Sequence, residues 1–176
     1  LSELGEKSIT SLSDSTERAR LCNLFFDDAV KTVLREHNWR CATKRQQLSR
    51  LEAAPAFGFE YQFEIPSDWI RTSELDIDED GYKWSQEDNK ILTDEESVYM
   101  KYVYFLNNPA KWDSQLTECV EAFLAYKLSL GIAGKVSYKD AMLKLYDMRL
   151  KKAKGIDSFE GTQDELVSTV LIDCRR

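Results

Sequence analysis

No run of this sequence is apolar for the about 20 residues that a bilayer crossing needs, so membrane insertion is set aside. Histidine is nearly missing: His37 stands alone, with no second histidine or cysteine at ligand spacing, and reads as a helix-end residue in preference to a metal ligand. The four cysteines, Cys22, Cys41, Cys119 and Cys174, form no C-x-x-C pair, so disulfides and zinc ribbons are not expected. Positive charge is in deficit, with 24 basic against 31 acidic residues and a net charge of −7, which argues against a general nucleic-acid clamp. Also missing are G-x-S-x-G, P-loop and H-E-x-x-H motifs and any Ser/His/Asp order around His37. Adjacent acids such as Asp27-Asp28 and Glu95-Glu96 cannot face one another on a helix, so no enzyme and no cofactor is expected. There is no internal repeat, no low-complexity tract and no secretory signal plan, and the chain begins at Leu1, so a few residues ahead of it are expected.

What is present describes a water-soluble globular chain: 43% apolar and 31% charged residues over 176 positions, enough for one domain with an arm. Asp14 followed by Glu17 resembles a capping box, and apolar residues then recur at Ala19, Cys22, Phe26, Ala29, Val30, Val33 and Leu34, predicting a helix over about 14–37. A second helix is predicted over about 39–51, stopped by Pro55. Large apolar residues alternate over 59–65, and short strand-like runs follow up to Phe105, separated by Asp80-Gly81 and Asp88-Asn89 turn signals. The β region is therefore placed at about 57–105, as a small antiparallel sheet or hairpin insertion. Helical spacing returns over about 113–131 and 136–154. The expected fold is α+β and mainly helical: a four-helix bundle-like domain over 1–155 carrying that sheet, with an extended C-terminal arm over 156–176.

Four places carry candidate chemistry. Asp76, Asp78, Asp80 with Gly81, and Glu87 match the spacing of a calcium loop, since alternate carboxylates on a tight turn can supply calcium with oxygens. Lys83 within it and the extended look of its flanks favour an acidic hairpin turn. The basic corner Arg35, Arg40, Lys44, Arg45 and Arg50 beside Trp39 suits a subunit contact or a cap at least as well as phosphate. Tyr99, Tyr102 and Tyr104 belong to an aromatic excess, most of it assigned to a covered sheet face and some to a protein-contact surface. The arm holds Val167, Val170, Leu171 and Ile172, followed by Arg175 and Arg176: a β-type segment that can add to a sheet edge on a partner, or fold back as an edge strand of its own domain.

The sequence also resembles a known family. Leu4-Gly5-Glu6, Ile9-Thr10-Ser11-Leu12, Arg18-Ala19 with Cys22-Asn23, Val33-Leu34-Arg35 and Trp39-Arg40-Cys41-Ala42-Thr43-Lys44-Arg45 follow one another in its order. So do Pro55-Ala56-Phe57-Gly58-Phe59, Ile65-Pro66-Ser67-Asp68-Trp69-Ile70-Arg71, Leu92-Thr93-Asp94-Glu95 and the two closing helices. On these residues, over nearly all its length, the chain resembles the head-to-tail adaptors of short-tailed bacteriophages, the tail tubular protein A-like group. The resemblance implies a structural virion protein assembled in the host cytoplasm. It would form a ring, usually of twelve copies, between the portal protein and the tail nozzle protein, with double-stranded DNA passing through the lumen without sequence recognition. It further implies that the arm grips the portal and that the sheet region faces the nozzle. The first helix and the helix after Asp113 are candidate ring walls. A calcium-binding regulatory module using residues 76–87, or a cytosolic helical scaffold, are the alternative readings.

Overall fold

Thr16, with an extended backbone and a hydroxyl that accepts from the Ala19 amide at 3.2 Å, starts helix α1 (Glu17–Glu36). Its buried stripe, Ala19, Cys22, Ala29, Val30, Val33 and Leu34, follows the spacing legible in the sequence. Asp14 is not the cap: its carboxylate accepts from the Thr10 and Ser11 amides at 2.9 and 3.2 Å and closes the loop ahead of the helix. Helix α2 (Ser114–Ala133) is capped by Asp113, which accepts from the Leu116 amide at 2.6 Å, and stops at Gly134, whose φ of 64° suits a residue without a side chain. Helix α3 (Val136–Glu160) runs on through Gly155. The glycine costs a helix interior about 1 kcal/mol, and Tyr146, Leu150 and Ala153 keep the helix seated in the core. The computed structural model describes residues 1–77, 83–134 and 136–160.

The helix expected over 39–51 is absent, and with it the four-helix bundle. Arg40–Ala42 make a 3-10 turn, after which the chain extends into β1 (Thr43–Gln47) and β2 (Ser49–Arg50). Arginine and glutamine favour helix weakly, by tenths of a kcal/mol per residue. A full ladder against β7 outweighs that preference, with pairs running from Thr43↔Val103 to Gln47↔Tyr99. Past Thr43 the side chains of β1 are all exposed, so no apolar period marked the strand. The remaining strands are β3 (Tyr61–Glu64), β4 (Trp69–Leu75), β5 (Trp84–Glu87), β6 (Lys90–Thr93) and β7 (Tyr99–Tyr104). They form two antiparallel sheets, ordered β1-β7-β4 and β2-β3-β6-β5, in place of one sheet.

Among the described residues the architecture is thus three helices and two small sheets in three layers. The β1-β7-β4 sheet is the middle layer. Ile70 and Val103 point into the helical core with Val33, Leu34, Leu116 and Val120. Leu75, Met100 and Tyr102 point the other way, into a β core with Phe63, Ile65 and Ile91. Alternation lets β4 feed both cores, and two irregularities, between Trp69 and Arg71 and between Thr72 and Glu74, bring Trp69, Thr72 and Leu75 opposite Tyr104, Tyr102 and Met100 despite their three-residue spacing. Leu48 is the switch point between the sheets: its amide bonds Val98 in one and, three residues on, the Leu51 amide bonds Gln62 in the other, at 2.9 Å each. Within the helical layer α2 packs against both α1 and α3. The N-terminal segment closes its free side, where Leu4 joins Cys22, Ala125 and Leu128, and Glu3 meets Arg149 at 2.7 Å.

Candidate functional site

The loop with calcium spacing does not sit between helices. It leaves β4 in the middle sheet and enters β5 in the outer sheet, so it is a crossover between sheets and not the hairpin turn expected. Asp78 and Asp80 lie outside the described residues. Asp76 is engaged with the start of β7, its amide donating to the Tyr99 carbonyl at 3.1 Å and its carboxylate accepting from the Tyr99 amide at 2.8 Å. Glu87 ends β5, where it accepts from the Ser85 hydroxyl at 3.0 Å. Among the described residues no cluster of three or more histidine, cysteine, aspartate or glutamate side chains is placed to hold a metal ion.

The aromatic and basic candidates are dispersed. Trp39 is 2% exposed, wedged between helices and sheet, and its Nε1 donates to the Val33 carbonyl at 2.9 Å, which closes the end of α1. His37 meets its ring edge-on at 5.3 Å. Tyr102 is 1% exposed inside the β core, and its hydroxyl bonds Asp68 and Gln46 at 3.1 and 3.2 Å. Burial first, and the Asp68 carboxylate second, push the Tyr102 phenol up to about 12. Tyr104 is half-buried beneath the Lys44 ammonium, 3.9 Å from its ring, and Lys44 also pairs with Asp68. Arg35 lies on Trp69 and Arg50 on Tyr61, so these cations cover separate rings and do not converge on one phosphate site. Burial raises the Cys41 and Cys119 thiols to about 11, which leaves both poor nucleophiles.

Tyr99, half exposed, and Arg45 share a surface the sequence did not single out. With Gln47, Glu74, Asp76 and Lys101 they line an open cavity of about 470 Å³ on the middle sheet beyond the reach of the helices. Lys101 bridges to Glu74 there at 2.9 Å and holds that carboxyl below its ordinary range. Strand alternation would have placed Tyr99 and Lys101 on one face, but not Glu74 and Arg45 on the neighbouring strands. Arg40, also exposed, lines a second cavity of about 280 Å³ together with Cys41, Asp113 and Ile156 near the end of α3. The arm residues Val167, Val170, Leu171, Ile172, Arg175 and Arg176 lie outside the described residues.

The helical layer displays large apolar side chains away from its cores: Leu24 on α1, Leu130 on α2, and Val136 and Met148 on α3, between 47 and 68% exposed. Sequence periodicity could have found them as apolar residues off the buried stripes. No helix of the described residues is long and apolar enough to cross a membrane. Neither a family model nor a curated protein gives a significant match to this chain.

Proposed function

We propose that this protein is a head-to-tail adaptor of a short-tailed phage: a ring subunit seated between portal and nozzle, which carries no catalytic activity. The motifs that follow one another from Leu4-Gly5-Glu6 to the closing helices suggest the family. The observation that carries the reading is the placement of exposed apolar residues on two helices that flank α2, Leu24 on α1 and Val136 with Met148 on α3. A closed ring is built from head-to-tail contacts in which two different patches of each subunit meet. Leu24 on one helix and Val136 with Met148 on another offer apolar side chains to such contacts. Charge supports the same role, because a net −7 subunit lets a duplex slide through a lumen without the phosphate contacts that would hold it. In this reading the segment Val167–Ile172 joins the portal by strand addition, and the sheets face the nozzle.

Mixing the chain with its phage's portal and separating complexes by size tests this. The adaptor reading expects a complex with portal, lost when Val170 and Leu171 are both changed to aspartate while circular dichroism is retained. A chain that leaves the portal untouched at micromolar concentration would contradict it. A calcium module has less support, since strands and not helices flank the acidic loop.

A further inference from the structure

β1 is the outer strand of the middle sheet: among the described residues it pairs with β7 alone, and its side chains from Lys44 to Gln47 are exposed. Just past it, the Leu48 amide bonds the Val98 carbonyl at 2.9 Å. In an antiparallel pair alternate residues face the partner, so Lys44 and Gln46 also face β7, while Arg45 and Gln47 direct N–H and C=O outward. The Thr43 amide is spent on the Arg40 carbonyl and the chain changes sheet at Leu48, so the open ladder is short, limited to Arg45 and Gln47. The side chains of both residues line the cavity of about 470 Å³, on one face with Lys101 and Tyr99 opposite them.

The charged groups around that cavity are not equivalent. Glu74 is paired with Lys101 at 2.9 Å and the Asp76 carboxylate accepts from the Tyr99 amide at 2.8 Å, whereas Arg45 has no ion pair or hydrogen bond among the described residues. Strand order separates them further. A strand added to β1 lies one spacing from Arg45, two from Lys101 and Tyr99, and three, about 14 Å, from Glu74 on β4. That last distance exceeds the screening length of about 10 Å at 0.1 M salt. The added strand therefore meets a cation, in a stretch where residues 37–51 hold Arg40, Lys44, Arg45 and Arg50 and no acid.

These features select the occupant. A second β1 laid on this edge would set the basic run against itself. A phosphate chain supplies acceptors alone and leaves the outward carbonyls unmatched, whereas a peptide backbone matches both the N–H and the C=O groups.

We propose that the open edge of β1 and the cavity beside it form a recognition site for an extended segment of a partner protein, in which an aromatic residue precedes an acidic one by two positions. Laid antiparallel on β1, such a segment exchanges backbone hydrogen bonds with Arg45 and Gln47 and sets its carboxylate opposite the Arg45 guanidinium. Its ring then stands opposite Gln47 and leans across it to Tyr99, which is 52% exposed. The inference stands without the adaptor reading, since it needs only the edge, the cavity and the charges.

The test uses the full chain at low micromolar concentration and a fluorescent, end-blocked peptide, Ser-Thr-Phe-Thr-Glu-Thr-Ser. Anisotropy reads binding, and amide hydrogen exchange at Arg45 and Gln47 reads edge contact. Saturable binding is expected, with both amides slowed at least about tenfold at saturation and the inner Val103 amide protected throughout, which shows that the fold is intact. Arg45→Gln should weaken binding at least about fivefold, and Arg45→Glu more. A peptide with lysine in place of its glutamate should reverse that order and bind the Arg45→Glu chain better than the unaltered one. No saturable binding up to about 1 mM peptide, or affinity indifferent to the charge at position 45 and in the peptide, would overturn the proposal. So would slow exchange at Arg45 and Gln47 before peptide is added, because the edge then has another occupant. If that protection grows with chain concentration, the occupant is a second copy. Stronger slowing of the same amides by a single-stranded oligonucleotide than by the peptide would assign the edge to phosphate and equally overturn it.

Discussion

The two cores that meet at the middle sheet each bury a tyrosine, and they treat its hydroxyl differently. Tyr102, in the β core, is anchored by Asp68 and Gln46, two residues 34 and 56 positions away in sequence. Tyr146, in the helical core, buries a hydroxyl without a hydrogen-bond partner among the described residues, and burial drives that phenol far above its ordinary range. The helical core is closed mainly by apolar side chains, on faces set by helix spacing, and its indoles at Trp39 and Trp112 bond carbonyls only six residues away. In the β core, polar groups from separate strands and loops complete the packing. One layer therefore depends on shape, and the other on shape plus a few long-range hydrogen bonds.

The strongest way to break this contrast is at the wedge that both layers share. Trp39→Ala removes a buried indole and its bond to Val33, and is expected to cost about 3–5 kcal/mol in urea unfolding. A loss under 1 kcal/mol would mean that the helices do not rest on the sheet through this residue. Tyr102→Phe should cost about 1–2 kcal/mol, because it strips partners from Gln46 and Asp68 at a half-enclosed site. Tyr146→Phe removes a hydroxyl with no partner and is expected to be neutral within about 0.5 kcal/mol, or mildly stabilising. Equal losses from the two phenylalanine variants, measured side by side, would erase the distinction drawn here.

A smaller effect belongs to the cavity on the middle sheet. Lys101 holds the Glu74 carboxyl below its ordinary range, first through their hydrogen bond. A carboxyl lowered in the folded state adds stability that is present above its unfolded value and lost as pH falls through the folded one. Both partners are substantially exposed, so Lys101→Met should cost no more than about 0.5–1 kcal/mol at pH 7. The difference from the unaltered chain should shrink towards zero as the pH drops below the carboxylate range, and thermal melts at both pH values check this. A gap that widened in acid would assign the wrong sign to the pair.

Helices α1 and α2 were legible because Ala19 to Leu34 and Leu116 to Ala125 repeat at helical spacing, and because Asp113 is a short acid ahead of an apolar run. Asp88-Asn89 announced the β5-β6 turn, and Asp88 does take the positive φ of 53°. The stretch from Arg40 to Arg50 was misread because β1 carries polar side chains on both faces. Its identity comes from the β7 backbone, which no local pattern records. Helix α3 outran its expected end because core contacts at Leu150 and Ala153 outweigh one glycine. The site was less legible than the fold. Trp39 and Tyr102, left open in the sequence between a packing role and a contact surface, are enclosed, whereas the open cavity joins Arg45, Glu74 and Tyr99 from three strands far apart in sequence. Sequence spacing cannot give that conjunction, since it depends on strand order and register.

The proposed closure of this chain into a ring on a portal is tested most directly by electron microscopy of the chain mixed with purified portal. The account predicts a continuous ring of added density on the tail-facing end of the portal, with α1 of one copy against α3 of the next and DNA-sized space at the centre. Portals without added density, or isolated copies bound with no contact between neighbours, would contradict it.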